Sequence, residues 1–459
     1  MKRSVVLILV LALLGAGVAL AAGRQEPAPA PAAPDAARAR TPIEMYQPGY
    51  AYPTQRVTLD YWHTLEGRPG YHELALELAK EYSVLHPNVT IEVRRIPNAQ
   101  QRAIWSAAFE SSTAPDVAWL EAGVGLAARG LLEMPAWAAR MIDELYIPYA
   151  QSMSKVGGKY FGWTAAELDV GQMLYYSKDL FREAGLNPNR APETTTDFLE
   201  AAKKVTQYDA AGNIKVAGVG LRYSGGHQGI GDKFSKYAMP FMDTTQKFFY
   251  DKDWRDVVFD HPEWIEAAGT VKDLIFKHKV SNTTLPIPDQ AVAQGLAAMT
   301  FRETFYWGFL KANAPGREYG IGPFPNGRYK TGAVPWIGLM SVTRDTKNAD
   351  LAWDFCMFLT TPENELRMTK NNGGMSRIKA HQNDPYFREL PYYDVVQTMW
   401  NDRPIVQNPY LDPNALVAEL EAKLGEYAIQ LMTDAGADPA QLMREMAQYG
   451  RQRLAETRR

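Results

Sequence analysis

From Val57 to Leu120 the spacing of apolar residues changes repeatedly. Val57, Leu59 and Tyr61 alternate as in a strand, then Leu74, Ala75, Leu78, Ala79, Tyr82 and Leu85 fall at helical spacing. His86-Pro87-Asn88 stops that helix, because Pro cannot continue it. Val89, Ile91 and Val93 alternate again, a helix is predicted over 100–110, and Val117 to Leu120 after Pro115 reads as a third strand. Parallel neighbours need a crossover of a dozen or more residues, usually a helix, and each connection here supplies one. The chain is therefore α/β, with a parallel sheet at its start.

The later pattern is looser but of the same class. Trp163 to Tyr176 reads as extended, Asp179 to Gly185 as a short helix closed by its glycine, and Thr196 to Val205 as a helix capped by Thr. Val216 to Leu221 is a predicted strand. Glu263–His278 and Gln290–Ala298 are predicted helices, the latter running into a strand over 297–301. Leu351, Ala352, Phe355, Phe358 and Leu359 form one helical stripe, and helices over 414–432 and 439–454 close the chain. At 459 residues, two or three domains are expected.

The first residues read as an address. Lys2 and Arg3 precede an apolar run from Val5 to Leu20 and the small-residue pattern Ala19-Leu20-Ala21, the layout of a secretory signal peptide cleaved after Ala21, with an uncleaved N-terminal anchor as the alternative for so long a run. Pro and Ala make up half of residues 22–53, so this stretch is expected to be a disordered linker. No later run is apolar for long enough to predict a transmembrane helix.

Forty-nine Lys and Arg stand against 52 Asp and Glu, a balance that does not supply the basic surface nucleic acid requires. A single Cys, Cys356, excludes an intramolecular disulfide and a Cys-based zinc site, and its apolar helical setting predicts a buried thiol. The histidines are scattered, so no metal or cofactor is expected. Phosphate-loop, H-E-x-x-H and G-x-S-x-G signatures are absent. Gly123-Val124-Gly125-Leu126-Ala127-Ala128 fits G-x-G-x-x-A, but its helix would meet Gly130 at once and is too short for a dinucleotide crossover.

What does stand out is aromatic residues at strand ends and loops. Trp62 and His63 close the first strand, Trp119 and Glu121 the third, and Phe305 and Trp307 follow Arg302 and Glu303. Ligands of open α/β sheets sit beyond strand carboxyl ends. Aromatic faces beside carboxylates and guanidinium groups suit a sugar, whose C–H face stacks while its hydroxyls need hydrogen-bond partners.

At this point the chain resembles the family 1 extracellular solute-binding proteins of ATP-driven importers, a group that includes maltose-, oligosaccharide- and glycerol-phosphate-binding proteins. The motifs occur in order: His86-Pro87-Asn88 before a strand, Pro115-Asp116-Val117, Gly158-Lys159-Tyr160-Phe161-Gly162, and Tyr175 to Phe181 with Ala184-Gly185-Leu186. Gly295-Leu296-Ala297-Ala298-Met299, Tyr319 to Pro325 and Asn348 to Pro362 follow. Gly373-Gly374-Met375 lacks the proline usual there. The resemblance runs from about Val57 to Ala380.

It implies a two-lobe periplasmic-binding-protein fold of the class II type with a helical C-terminal portion. One lobe would comprise 54–165 plus 324–344, the other 166–323 plus 345–459. The chain would cross near Thr164–Glu167, Gly320–Phe324 and Thr343–Lys347. The lobes of such proteins close on the ligand by hinge motion, and the permease recognises the closed form.

Positions carried over as ligand contacts are Trp62, His63, Thr64 and Glu66 after the first strand, and Trp119 and Glu121 after the third. Trp163, Glu167 and Asp169 belong to the first crossover, and Arg302, Glu303, Phe305 and Trp307 to the segment after Met299. Trp336, Gly338, Trp400 and Arg403 complete the set. The implied protein is a non-catalytic, monomeric sugar receptor with ABC permease subunits as partners. Gly23 stands after Ala22 where lipoprotein relatives carry Cys, so a free periplasmic protein is expected rather than a lipid-anchored one. Two alternatives stay open: an exported carbohydrate-active enzyme using a pair among Glu121, Asp169 and Glu303, and a sugar sensor subunit.

Overall fold

The computed structural model describes residues 40–457, apart from 66–69, 98–99, 121–129, 157, 164–167, 244–247, 332–333, 402–413 and 415. Residues 1–39, which hold the expected signal peptide, lie outside that set, as does the Gly123–Ala128 motif. Along the chain the strands are β1 (Val57–His63), β2 (Val89–Arg95), β3 (Val117–Leu120), β4 (Lys155–Val156), β5 (Lys159–Tyr160), β6 (Leu168–Gly171) and β7 (Met173–Ser177). They continue as β8 (Gln207–Tyr208), β9 (Ile214–Val219), β10 (Ala297–Arg302), β11 (Tyr319–Gly322), β12 (Val334–Ile337) and β13 (Leu339–Val342).

Two sheets organise the molecule. The first has the order β13-β3-β1-β2, with β1 parallel to both β2 and β3 as the periodicity predicts, and β13 antiparallel at one edge. The second has the order β11-β7-β10-β9-β8; β9 and β10 run parallel, while β7 runs antiparallel to β10. Helices cover both faces of each sheet. In the first sheet Val117 and Trp119 join one apolar cluster, Ala118 and Leu120 the other, so all of β3 is buried.

Local signals set the helices. Thr194 caps the helix Thr195–Val205, its hydroxyl accepting from Asp197 N at 3.0 Å while Asp197 reaches back to Thr194 N at 3.1 Å. The short helix Lys178–Glu183 is followed by Gly185 at φ +72°, which a glycine adopts without a Cβ clash. The expected Gln290–Ala298 helix is shorter: it spans Pro288–Ala293, and Gly295 at φ +75° turns the chain into β10.

Two domain expectations need correction. Residues 345–459 do not form one block on the second sheet. The helix Ala349–Leu359, with Met368 and Ile378, packs into the first core beside Tyr61, Tyr82 and Trp163. Phe387, Tyr392, Val396 and Met399 then join a cluster on the second sheet, so the third crossing falls after Ile378 and not at 343–347. The stripe of Leu351 to Leu359 is apolar enough to be core, but nothing local says whose core. Cys356 is fully buried within it.

Residues 40–53, expected to be linker, are tied down. The helix Pro42–Tyr46 sits on the first core, with Ile43 fully buried. Ile43 N donates to Asp354 Oδ1 (2.8 Å), and the hydroxyls of Tyr52 and Tyr82 donate to Asp354 Oδ2 (2.7 and 2.8 Å). A buried carboxylate thus collects three donors, two of them from the N-terminal segment.

The two sheets are joined through a separate antiparallel ladder. β6, which leads into β7 of the second sheet, pairs with β12, which leads into β13 of the first.

Candidate functional site

At the carboxyl ends of β9 and β10 a group of polar side chains comes together. Met173, at the start of β7, is the register partner of Arg302, at the end of β10. That pairing places Gln172 beside Glu303. Three residues beyond β9 the chain reaches Arg222, and the helix His227–Ser235 then brings Asp232 and Lys233. Asp289 enters from the first turn of the helix Pro288–Ala293.

These side chains form one network around Glu303. Gln172 Nε2 donates to Glu303 Oε1 at 2.7 Å, Lys233 Nζ donates to the same oxygen, and Arg302 Nη1 lies 3.1 Å from Oε2. Arg302 also pairs with Asp289, at 2.8 Å through Nε and 3.0 Å through Nη2. Its guanidinium lies 4.8 Å from the Phe305 ring centroid. Asp232 takes Lys233 at 2.8 Å and Lys236 at 2.9 Å.

The electrostatics follow from that geometry. Burial opposes ionisation of Glu303, but the charges of Lys233 and Arg302 outweigh it and hold the carboxyl at about 2. Asp232 is likewise held well below the carboxylate range: Lys233 and Lys236 overcome its burial. Buried charges are tolerable here because each is paired and hydrogen-bonded.

Above the network lies a cavity of about 230 Å³, lined by Gln172, Arg222, Lys233, Asp289, Thr300 and Arg302 among others. Gln172 is 1% exposed, and its backbone is held at φ +64°. A non-glycine residue in that conformation is strained, and such residues cluster at functional sites. Its Nε2 is committed to Glu303, which leaves its buried Oε1 without a partner.

A family model described as "Bacterial extracellular solute-binding protein" matches residues 70–366. The chain belongs to that family. It is 25% identical over 348 residues to the sn-glycerol-3-phosphate-binding periplasmic protein UgpB of Shigella dysenteriae, covering 70% of this chain and 75% of the relative, and UgpB of Escherichia coli K12 matches to the same extent. Among solved structures it resembles an ABC transporter solute-binding protein from Thermotoga lettingae bound to α-D-tagatose. The TM-score is 0.71 at 18% identity, covering 86% of this chain and 99% of that one. The GacH receptor of Streptomyces glaucescens gives a TM-score of 0.72 at 17% identity, with 87% and 98% covered. The two-sheet α/β architecture is thus the fold of this solute-binding family, as the ordered motifs predict.

Membership makes the chain a solute-binding protein rather than an enzyme.

Of the positions carried over by resemblance, Arg302, Glu303 and Phe305 come together here, while Trp307 packs against an apolar cluster of the second sheet. Those at the first sheet divide. Trp62 is half-buried against Trp105, with Arg94 4.8 Å from its ring centroid. His63 is fully buried, its Nε2 3.0 Å from His72 Nδ1, and Thr64 is buried with its hydroxyl unpartnered. Trp119 and Trp163 depart from expectation, because both are fully buried in the first core and spend their ring faces there. Gly338 serves Trp119: a Cβ at 338 would lie 2.0 Å from Trp119 Cζ2. Asp169 and Trp336 are register partners in the β6–β12 ladder, and Trp400 falls in the helix Tyr393–Asn401. Glu66, Glu121, Glu167 and Arg403 lie outside the described residues.

Gln172, Arg222, Asp232, Lys233 and Asp289 are additions that the motifs do not supply. Arg222 had a usable signal, since it directly follows the predicted strand 216–221 at a carboxyl end. Lys233 had none: its helix, His227–Ser235, carries Gly229 and Gly231 and reads as loop.

Proposed function

We propose that this protein is the extracytoplasmic receptor of an ABC-type importer, capturing a sugar or polyol between two lobes and presenting it to a membrane permease. The observation that carries the reading is the cavity beside β9 and β10, whose polar groups are fixed before a solute arrives. Glu303 orients Gln172 and Arg302, and the unmet Oε1 of Gln172 is an acceptor suited to a solute hydroxyl. Groups that are already ordered give up little entropy on binding. A relative named as sn-glycerol-3-phosphate-binding and a solved solute-binding protein bound to α-D-tagatose point to the same broad solute class. Export through a signal peptide cleaved after Ala21, a periplasmic location and a monomeric state complete the proposal. The β6–β12 ladder is the hinge about which the first lobe closes on the second.

Thermal unfolding tests it. Protein freed of bound solute by unfolding and refolding is compared with and without mono- and oligosaccharides, polyols and their acidic derivatives. A solute at 100 times its dissociation constant adds about 2.7 kcal/mol, which for lobes of this size raises the midpoint by several degrees. A midpoint unmoved by the whole panel refutes the sugar or polyol reading.

A further inference from the structure

The charges around the cavity do not cancel. Lys233, Lys236 and Arg302 are matched by Asp232, Asp289 and Glu303 in the ion pairs already described. Arg222 lines the same cavity and has no carboxylate partner among the described residues. Its only hydrogen bonds there are long ones, from Nε to Ser224 O and from Nη2 to Gly225 O, both at 3.4 Å. Burial, and then the like charge of Arg302, lower its pKa against the opposing pull of Asp232, Asp289 and Glu303, so the ionised guanidinium is penalised as it stands. A fork of donors in that condition gains most from an oxyanion, to which Arg binds in a bidentate manner. The same cavity holds the buried Gln172 Oε1, whose orientation is set by the Nε2 bond to Glu303 and which can accept only from a hydroxyl or amine.

Resting on the reading of the protein as a solute receptor, we propose that the solute is a hydroxylated anion, with its phosphate or carboxylate on Arg222 and a hydroxyl on Gln172. Arg222 is thereby the residue that discriminates charged from neutral solutes. A neutral sugar leaves the half-buried Arg222 charge without an oxyanion, and unmatched polar groups are what a binding site discriminates against most strongly.

Calorimetric titration of the refolded full-length protein decides it, using sn-glycerol 3-phosphate, glucose 6-phosphate and glucuronate against glycerol and glucose. The expected result is that at least one anion binds more than tenfold tighter than its neutral counterpart, with affinity falling as salt rises. Preference for the phosphates or for the uronate then identifies the oxyanion. R222Q loses about 10- to 100-fold for the anion and little for a neutral sugar, and R222K recovers part of the loss. Unfolding midpoints of the solute-free variants show that both still fold. Equal affinity for charged and neutral members, or an anion affinity that R222Q leaves unchanged, overturns the assignment while the receptor reading stands. No binding by any member overturns the assignment, and the receptor reading then stands or falls on the wider panel of oligosaccharides and polyols.

Discussion

Glu303 accepts from Gln172 and Lys233 and pairs with Arg302, so replacing it by Gln removes the anion between two cations, which are left with Asp232 and Asp289 as partners. Removing one partner of a buried ion pair costs about 3–5 kcal/mol. Glu303→Gln should therefore lower the thermal midpoint by several degrees, and a change within 1 °C would show that the network is not stabilising. Among the groups that shape the acid side of the stability curve, Glu303 and His63 act with the same sign. The folded pKa of Glu303, about 2, lies below its ordinary 4.5, so the stability from its charge is complete above pH 4.5 and drains away as pH falls toward 2. Burial, with His72 and Arg95 nearby, lowers His63 to about 3 from 6.5. The unfolded chain then takes up a proton below pH 6.5 that the folded one refuses, and stability falls from pH 6.5 toward 3. A group that titrates only in the unfolded state contributes a slope of about 1.4 kcal/mol per pH unit. Urea unfolding of His63→Phe should have a flatter pH dependence between 6.5 and 4.5 than the parent. An unchanged slope there would place the proton uptake elsewhere.

At the level of elements, the site depends on how closely one helix pair approaches. The helix His227–Ser235, which carries Lys233, lies against Val417–Thr433 with a glycine from each at the contact. A Cβ on Gly231 would lie 1.9 Å from Glu421 O, and one on Gly425 would lie 1.8 Å from His227 O. Neither atom can yield without moving a backbone. Gly425→Ala should cost about 1–3 kcal/mol through overpacking and should also weaken solute binding, because it displaces the element that positions Lys233. A variant that lost stability but kept full affinity would uncouple that helix from the site. The N-terminal segment offers a parallel test at the other sheet. Asp354→Ala removes the acceptor shared by Ile43 N and the hydroxyls of Tyr52 and Tyr82, and leaves Tyr52 only its bond to Thr41. Residues 40–53 should then become sensitive to limited proteolysis under conditions where the parent is resistant. Equal resistance in the two proteins would mean that the segment is held by Ile43 packing alone.

For the molecule as a whole, solute binding stabilises the closed form by the difference in affinity between closed and open states. The proposed hinge therefore predicts that a bound solute reduces the radius of gyration in solution scattering. An unchanged radius at saturation would mean that the lobes do not move against each other. Much of this architecture could be read from the chain before folding. The alternation of Val57, Leu59 and Tyr61 gave the first strand and, extended by one step, puts His63 on the same inward face and Trp62 on the other. The helical stripes and the turns at Pro87 and Gly185 gave most element boundaries, because periodicity and backbone sterics are properties of near neighbours. The packing partners could not be read in that way. The stripe of Leu351 to Leu359 is equally apolar against either sheet, and Trp119 at a strand end looks the same whether it meets a ligand or a core. The site shows the same division. Arg302 and Glu303 stand out as adjacent charges, but Gln172 lies 131 residues from Glu303 along the chain, and Arg222, Lys233 and Asp289 reach it only through strand register and helix packing. The order and kind of elements depend on local spacing and were legible in the chain alone. Tertiary structure alone decided which charges are paired and which one is left over, because that balance exists only once distant side chains share a buried space where water no longer solvates them.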